Sequence, residues 1–390
     1  RRDIPSVPHS GMIAGNNLGY DCVASEAMPI KRLNLPPEGK KAHSTFLGGY
    51  VEKFTETEIN QEMKRLMSLG LSQSCVSQPL EDIAELTLKI NTLKKEKNTF
   101  ICAHVYQLPE VILGIGDSIG DSYKLAADSI ETQAENIIFC GVHFMAETAK
   151  ILNPGKKVYI PSKEAGCTLA ESIKGEDVKK LKLQYPNSPV VTYINTTADV
   201  KAESDCIVTS ANAEKILRKM YEKHERVVFT PDKFMGANFA KILGKTIGKD
   251  MILWNGTCVV HEKFDARTIK IYRDKYPGLA VLAHAECPPE LIDEVDFAGG
   301  TGTMMKYVEN SNAAAFLLIT ECGFGELAEM KFPEKNFIAM CRICPYMKSI
   351  TLNNVLDVLE NPSGEFEVNV PADIAEKAKK SIDMMFDLAA

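Results

Sequence analysis

Three kinds of chemically capable residue recur along this chain at intervals of about ninety. The first is a polar side chain where an apolar run ends: His104 and Tyr106, then Tyr193 and Asn195, then His284 and Glu286. The second is a small hydroxyl opening a helical stretch: Ser122 after Asp121, Ser210 after Thr209, and Thr301 between Gly300 and Gly302. Ser122 and Ser210 lie 88 residues apart, and Ser210 and Thr301 lie 91 apart. The third is a cysteine in the loop that closes each stretch: Cys167, Cys258 and Cys344. Those cysteines are offset by 91 and 86 residues. Cys341 would give 83 in place of 86, so phase alone does not choose between Cys341 and Cys344.

Each set has a direct chemical use. In open α/β sheets ligands bind beyond the carboxyl ends of the strands. Helix N-termini offer unpaired amides and the positive end of a dipole, which suit phosphate or carboxylate. Three such termini, each with a hydroxyl, would clamp a small polyanion. Three thiolates converging on one point make a soft-ligand metal site. Their wide separation does not fit a zinc ribbon, which needs close local pairs. It fits one ligand per unit at a pseudo-threefold axis. An iron–sulfur cubane held by three thiolates leaves one iron able to act as a Lewis acid on substrate. Glu286 is the in-phase strand-end carboxylate and would serve as a base if burial raises its pKa. Tyr106 and Tyr193 could donate to a developing alkoxide or enolate.

The elements that must position these residues are legible too. Residues 1–54 are rich in Pro, Gly and Ser without a steady period and read as an irregular arm. Thr55 and Glu58 form a capping-box pair. The helix they open should bury Ile59, Met63, Leu66 and Met67 and end at Gly70. A second helix should run from Leu80 to Lys97 with Ile83, Leu86, Ile90 and Leu93 on one face. From Thr99 onward short apolar runs alternate with amphipathic helices. Strands are expected at Thr99–His104, Asn136–Gly141 and Lys157–Pro161, and helices at Asp121–Ala134 and His143–Leu152. This is the rhythm of a parallel sheet covered on both faces. It repeats: Phe144-Met145 with Ala149–Leu152 returns ninety residues later as Phe234-Met235 with Ala240–Leu243.

The expected fold is therefore α/β, with three similar α/β domains whose parallel sheets surround a pseudo-threefold axis. The divisions are 1–79 for the arm and first helix, then units at 80–170, 171–260 and 261–350. Residues 351–390 should form helices, including one from Pro371 to Leu388, that pack back on the units.

Composition removes several function classes. Lys plus Arg number 45 against 52 Asp plus Glu, a net charge of −7. That balance argues against a nucleic-acid binder held by many phosphate contacts. The longest apolar run, Ala313–Ile319, is seven residues, against about twenty needed to cross a bilayer. Between Arg1 and Tyr50 there is no apolar h-region, so no secretory signal is expected. Eleven cysteines suit a reducing, cytoplasmic setting in which thiols stay free. Cys102, Cys140 and Cys206 read as packing residues, and Cys287 as structural. His143 should face solvent, Lys179–Lys182 should be a solvated helix face, and Trp254 should be core.

Several motifs together resemble the quinolinate synthase family, iron–sulfur enzymes of NAD biosynthesis. They include Ala103-His104-Val105-Tyr106-Gln107, Gly120-Asp121-Ser122, Gly141-Val142-His143-Phe144-Met145-Ala146-Glu147 and Ala165-Gly166-Cys167. They continue with Tyr193-Ile194-Asn195-Thr196-Thr197, Val208-Thr209-Ser210-Ala211-Asn212 and Gly256-Thr257-Cys258-Val259-Val260-His261. The last are His284-Ala285-Glu286-Cys287-Pro288, Gly300-Thr301-Gly302 and Cys341-Arg342-Ile343-Cys344-Pro345. They run in the family's order from about Leu80 to the end. Val105 stands where the family usually has a polar residue or Tyr, and Gly300 where Ser is common.

The resemblance implies a [4Fe–4S] cluster held by Cys167, Cys258 and Cys344, the last chosen because the family's ligand immediately precedes the proline. It implies condensation of iminoaspartate with dihydroxyacetone phosphate, with loss of phosphate and two waters. His104, Ser122, Ser210 and Thr301 would hold phosphate or carboxylate groups, and His261 would join them at the substrate. Tyr106, Tyr193, Asn195, His284 and Glu286 would carry the chemistry. The expected partners are these two small molecules and possibly the enzyme that supplies iminoaspartate, with no nucleic acid and no membrane. Two rivals are an iron–sulfur hydro-lyase acting on another phosphorylated or carboxylated small molecule, and a cluster carrier or sensor. The three hydroxyl-bearing helix starts favour a phosphorylated substrate, and a carrier has no use for Tyr106, Tyr193 and Glu286.

Overall fold

The computed structural model describes residues 54–72, 76, 78–340 and 342–390. The expected arm at 1–54 therefore lies almost wholly outside the described residues, and Cys341 lies outside them too. Among the described residues twelve strands form three four-stranded parallel sheets. The first holds β1 (Thr99–His104), β2 (Ser118–Gly120), β3 (Asn136–Cys140) and β4 (Lys157–Tyr159). The second holds β5 (Val190–Tyr193), β6 (Cys206–Val208), β7 (Val227–Thr230) and β8 (Met251–Leu253). The third holds β9 (Ala280–His284), β10 (Phe297–Gly299), β11 (Ala315–Ile319) and β12 (Asn336–Ala339).

The orders are β2-β1-β3-β4, β6-β5-β7-β8 and β10-β9-β11-β12, one topology used three times. This is the α/β architecture of three similar units that the ninety-residue phase implied. Strands such as Val190–Tyr193 and Ala280–His284 are buried at every position. Helices cover both faces of such a sheet, so its strands read as unbroken apolar runs.

The helices largely follow their local signals. Thr55 and Glu58 make the reciprocal capping box of the helix Glu56–Ser68. Leu66 is fully buried there, but Met67 is 58% exposed. The apolar stripe is narrower than expected because the buried Thr87 hydroxyl donates to Glu62, which puts Glu62 on the inward face. The second helix spans Leu80–Glu96 and buries Ile83 and Ile90. His143–Leu152 is helical over the expected span. Asp121 caps Ser122–Glu131 by accepting from the Lys124 amide, and the helix stops at Glu131, where Thr132 turns extended, short of the expected Ala134. The strands expected to reach Gly141 and Pro161 stop at Cys140 and Tyr159.

The final helix, Ala372–Ala389, buries Ala378, Ser381, Ile382 and Met385. It packs on the second sheet's side of the fold, where the Ser381 hydroxyl donates to the Lys201 carbonyl at 2.7 Å.

Candidate active site

The first strand of each sheet ends in a chemical side chain, and two of these ends share a local device. After β1, the Tyr106 amide donates to His104 Nδ1 at 3.2 Å. After β9, the Glu286 amide donates to His284 Nδ1 at 3.4 Å. A ring nitrogen that accepts from an amide carries no proton, so each imidazole holds its hydrogen on Nε2. Burial reinforces the neutral form: it pulls His104 down to about 3 and His284 to about 4. After β5 the Tyr193 hydroxyl donates to Glu286 Oε1 at 2.6 Å. Asn195 follows in the next bend, and its buried Oδ1 has no hydrogen-bond partner among the described residues.

Glu286 is the hub of these ends. Its Oε2 lies 3.0 Å from His261 Nδ1, which is also 3.3 Å from Cys258 Sγ. The rings of His261 and His284 stack with centroids 4.6 Å apart. Burial alone would raise the Glu286 carboxyl. The facing imidazoles and the hydrogen bonds from His261 and Tyr193 outweigh it and hold the carboxylate below its ordinary range. The expectation that burial would leave Glu286 with a raised pKa therefore does not hold.

The cysteines are set by one repeated turn. The amide of Glu171 donates to the Cys167 carbonyl at 3.0 Å, that of Glu262 to Cys258 at 3.0 Å, and that of Lys348 to Cys344 at 3.1 Å. In each turn the sulfur faces the amides two and three residues on: Leu169 and Ala170, Val260 and His261, Tyr346 and Met347. Each cysteine thus sits at the start of a helical turn whose free amides favour a thiolate. Burial works against this, pushing Cys167 up to about 12 and Cys344 to about 11. Without a metal these sulfurs hold their protons, and a metal displaces them. Thr168 ties two of the turns together. Its hydroxyl donates to the Thr257 carbonyl and accepts from the Val259 amide, both at 3.3 Å.

The third corner carries the hydroxyls. Ser122 and Thr301 are the first residues of Ser122–Glu131 and Thr301–Asn310. Ser210 differs from expectation: it sits in a turn before Asn212, the cap of Ala213–Tyr221, because the Thr209 amide takes the Asn212 side chain at 2.7 Å. Gly300 has a steric reason. A Cβ there would run into the Ser210 hydroxyl, so glycine lets the second and third units approach. Asp121 Oδ2 would lie 2.9 Å from a Cβ at Gly302.

All thirteen site residues expected from the sequence line one cavity. His104, Tyr106 and Ser122 come from the first unit, and Cys167 from the loop closing it. Tyr193, Asn195, Ser210 and Cys258 come from the second, and His261 follows that unit. His284, Glu286, Thr301 and Cys344 complete the wall. No lysine or arginine is among the described lining residues.

Two participants were missed. Thr320 and Glu321 follow β11. The Thr320 hydroxyl lies 2.7 Å from the Tyr106 hydroxyl and 3.1 Å from His261 Nε2. Glu321 accepts from the Cys344 amide at 3.2 Å and the Gly323 amide at 2.7 Å. The signal is the polar pair Thr320-Glu321 directly after the apolar run of β11.

The other readings are met in most cases. Cys102, Cys140, Cys206 and Cys287 are free and buried, and Val105 is buried outside the cavity wall. His143 is about half exposed. Lys179, Lys180 and Lys182 make surface ion pairs. Trp254 is only half-buried and donates to the Ser172 carbonyl at 3.0 Å. Cys322 departs from the expectation of free thiols, being disulfide-bonded.

Comparison with known proteins bears on this cavity. The family model described as "Quinolinate synthetase A protein" matches residues 88–387. This chain belongs to the quinolinate synthase family. It is 44% identical over 307 residues to quinolinate synthase of Caulobacter vibrioides, covering 78% of this chain and 82% of that one. It is 44% identical over 296 residues to quinolinate synthase 1 of Mesorhizobium japonicum, covering 76% and 89%. Quinolinate synthase of Xylella fastidiosa is 44% identical over 293 residues, covering 75% and 84%. Family membership and the grouped Cys258, His261 and Glu286, whose ligand atoms lie within 4.8 Å of one another, point to metal or iron–sulfur binding here. No described helix is long and apolar enough to cross a membrane.

Proposed function

We propose that this chain is an enzyme of NAD biosynthesis that condenses iminoaspartate with dihydroxyacetone phosphate to quinolinate, releasing phosphate and two waters. The observation that carries the reading is the convergence of three equivalent cysteine turns with three strand-end polar groups on one cavity. The donor set fits a [4Fe–4S] cluster: Cys167, Cys258 and Cys344 would hold it, and its fourth iron would supply Lewis acidity for expelling a hydroxyl.

The chain's own groups divide the remaining work. The hydroxyls of Ser122, Ser210 and Thr301, with the helix amides beside Ser122 and Thr301, bind the phosphate or the carboxylates. His104 and His284, neutral with hydrogen on Nε2, donate to a carbonyl or carboxylate oxygen. Glu286 stays ionised at neutral pH and takes up a proton when Tyr193 or His261 gives up its bond to it. Asn195 brings an unpaired acceptor toward a substrate amine or hydroxyl. The buried wall excludes water from hydrolytically labile intermediates. The free thiols of Cys102, Cys140, Cys206 and Cys287 support a reducing, cytoplasmic setting, against which the disulfide-bonded Cys322 counts, and an unstable imine substrate supports a partner enzyme that delivers it.

The test is anaerobic cluster loading followed by incubation with dihydroxyacetone phosphate and freshly generated iminoaspartate. Quinolinate formation is expected, and none from a fully loaded protein would reject the reading. Family membership does not favour the hydro-lyase alternative.

A further inference from the structure

We infer that Thr320 is a positioning residue that fixes the hydroxyl direction of Tyr106 by joining it to the His261–Glu286 pair. This deepens, and rests on, the function proposed above.

Glu286 as a carboxylate can only accept, so Tyr193 donates to its Oε1, and His261 Nδ1 lies 3.0 Å from its Oε2. The other ring nitrogen of His261, Nε2, lies 3.1 Å from the Thr320 hydroxyl. The same threonine oxygen lies 2.7 Å from the Tyr106 hydroxyl. The connection runs Tyr106 to Thr320 to His261 to Glu286, with Tyr193 donating from the other side.

The consequence concerns substrate. Tyr193 is tied to Glu286 and Tyr106 to Thr320, so each phenol presents its oxygen to the chamber from a fixed direction. Thr320 touches no reacting atom in this scheme. It is 2% exposed and joins a first-unit phenol to a third-unit carboxylate. A Val in its place would keep the volume and remove the bridge. A Ser would keep the bridge and lose a methyl.

The experiment compares Thr320→Val and Thr320→Ser in cluster-loaded protein. Thr320→Val should lower kcat about tenfold or more with KM within about twofold, and Thr320→Ser should stay within about threefold of wild type. Combining Thr320→Val with Tyr106→Phe should cost no more than Tyr106→Phe alone, since both break one connection. Denaturant unfolding gives a second readout: the Val variant should be the less stable despite its better packing, because it strands two buried polar groups. Near-native kcat in the Val variant, a loss carried by KM, or a Ser variant as slow as Val would overturn the inference. If wild type makes no quinolinate, the functional reading fails, and the order of stabilities still judges the bridge.

Discussion

The Tyr193 hydroxyl reaches from the end of β5 to donate to Glu286, two residues beyond β9, at 2.6 Å. The ends of two sheets formed by distant segments are thus tied by this hydrogen bond, and the carboxylate that receives it is buried.

Replacing that carboxylate should separate charge from shape. Glu286→Gln puts an amide where Tyr193 and His261 both donate, so one of its own hydrogens faces a donor. Turnover should fall at least about a hundredfold, the usual scale for losing a proton-accepting group. Tyr193→Phe should cost less, because His261 still holds Glu286. Steady-state quinolinate formation on samples matched for iron content measures both. A Gln variant with native turnover would move the base elsewhere.

The repeated cysteine turn makes a selective prediction about metal. Cys167→Ser, Cys258→Ser and Cys344→Ser should each lose most of the iron and visible absorption after anaerobic reconstitution. Cys287→Ser should keep them, since its sulfur is buried and aimed at the Ile319 carbonyl at 3.8 Å. Iron retained by any of the first three variants would remove that residue from the ligand set.

Ser122→Ala and Thr301→Ala should act on the phosphorylated substrate. Each deletes one hydroxyl while the helix amides remain, so a loss of about 1–2 kcal/mol, or roughly five- to thirtyfold in KM, is expected. Titrating dihydroxyacetone phosphate at saturating co-substrate gives the number. Unchanged KM in both variants would place the phosphate at another part of the wall.

The buried histidines set an acid limit. His284 is held down to about 4 and His104 to about 3 by burial, against an unfolded value near 6.5. Between those values the unfolded chain binds more protons than the folded one, so stability rises with pH and falls as pH drops from 6.5 toward 4. Each histidine contributes roughly 1 kcal/mol per pH unit in that window. Urea unfolding of iron-free protein from pH 6.5 to 4.5 should show the slope, and His284→Asn should flatten it by about one proton. An unchanged slope would mean that His284 is already protonated in the fold.

Much of this was legible because it is local or periodic. The Thr55–Glu58 cap, the helix His143–Leu152 and the returning Phe-Met pair are written in short stretches; phase brought out Cys167, Cys258 and the strand ends, and the family motif chose Cys344 over Cys341. What was hidden depends on contacts across units. Thr320 acquires meaning only when Tyr106 and His261 arrive beside it. Met67 looks like core until Glu62 is drawn inward by Thr87. Ser210 looks like a helix start until Asn212 captures the Thr209 amide. Gly300 looks like a lost serine until Ser210 is found against it.

No lysine or arginine is among the described lining residues of the cavity, and this has a consequence for the proposed catalytic cycle. An anion held by hydroxyls and amides neutralises no side-chain charge on entry, and its departure strands no buried cation. Neutral donors also screen little, so dihydroxyacetone phosphate should bind almost as well at high ionic strength as at low.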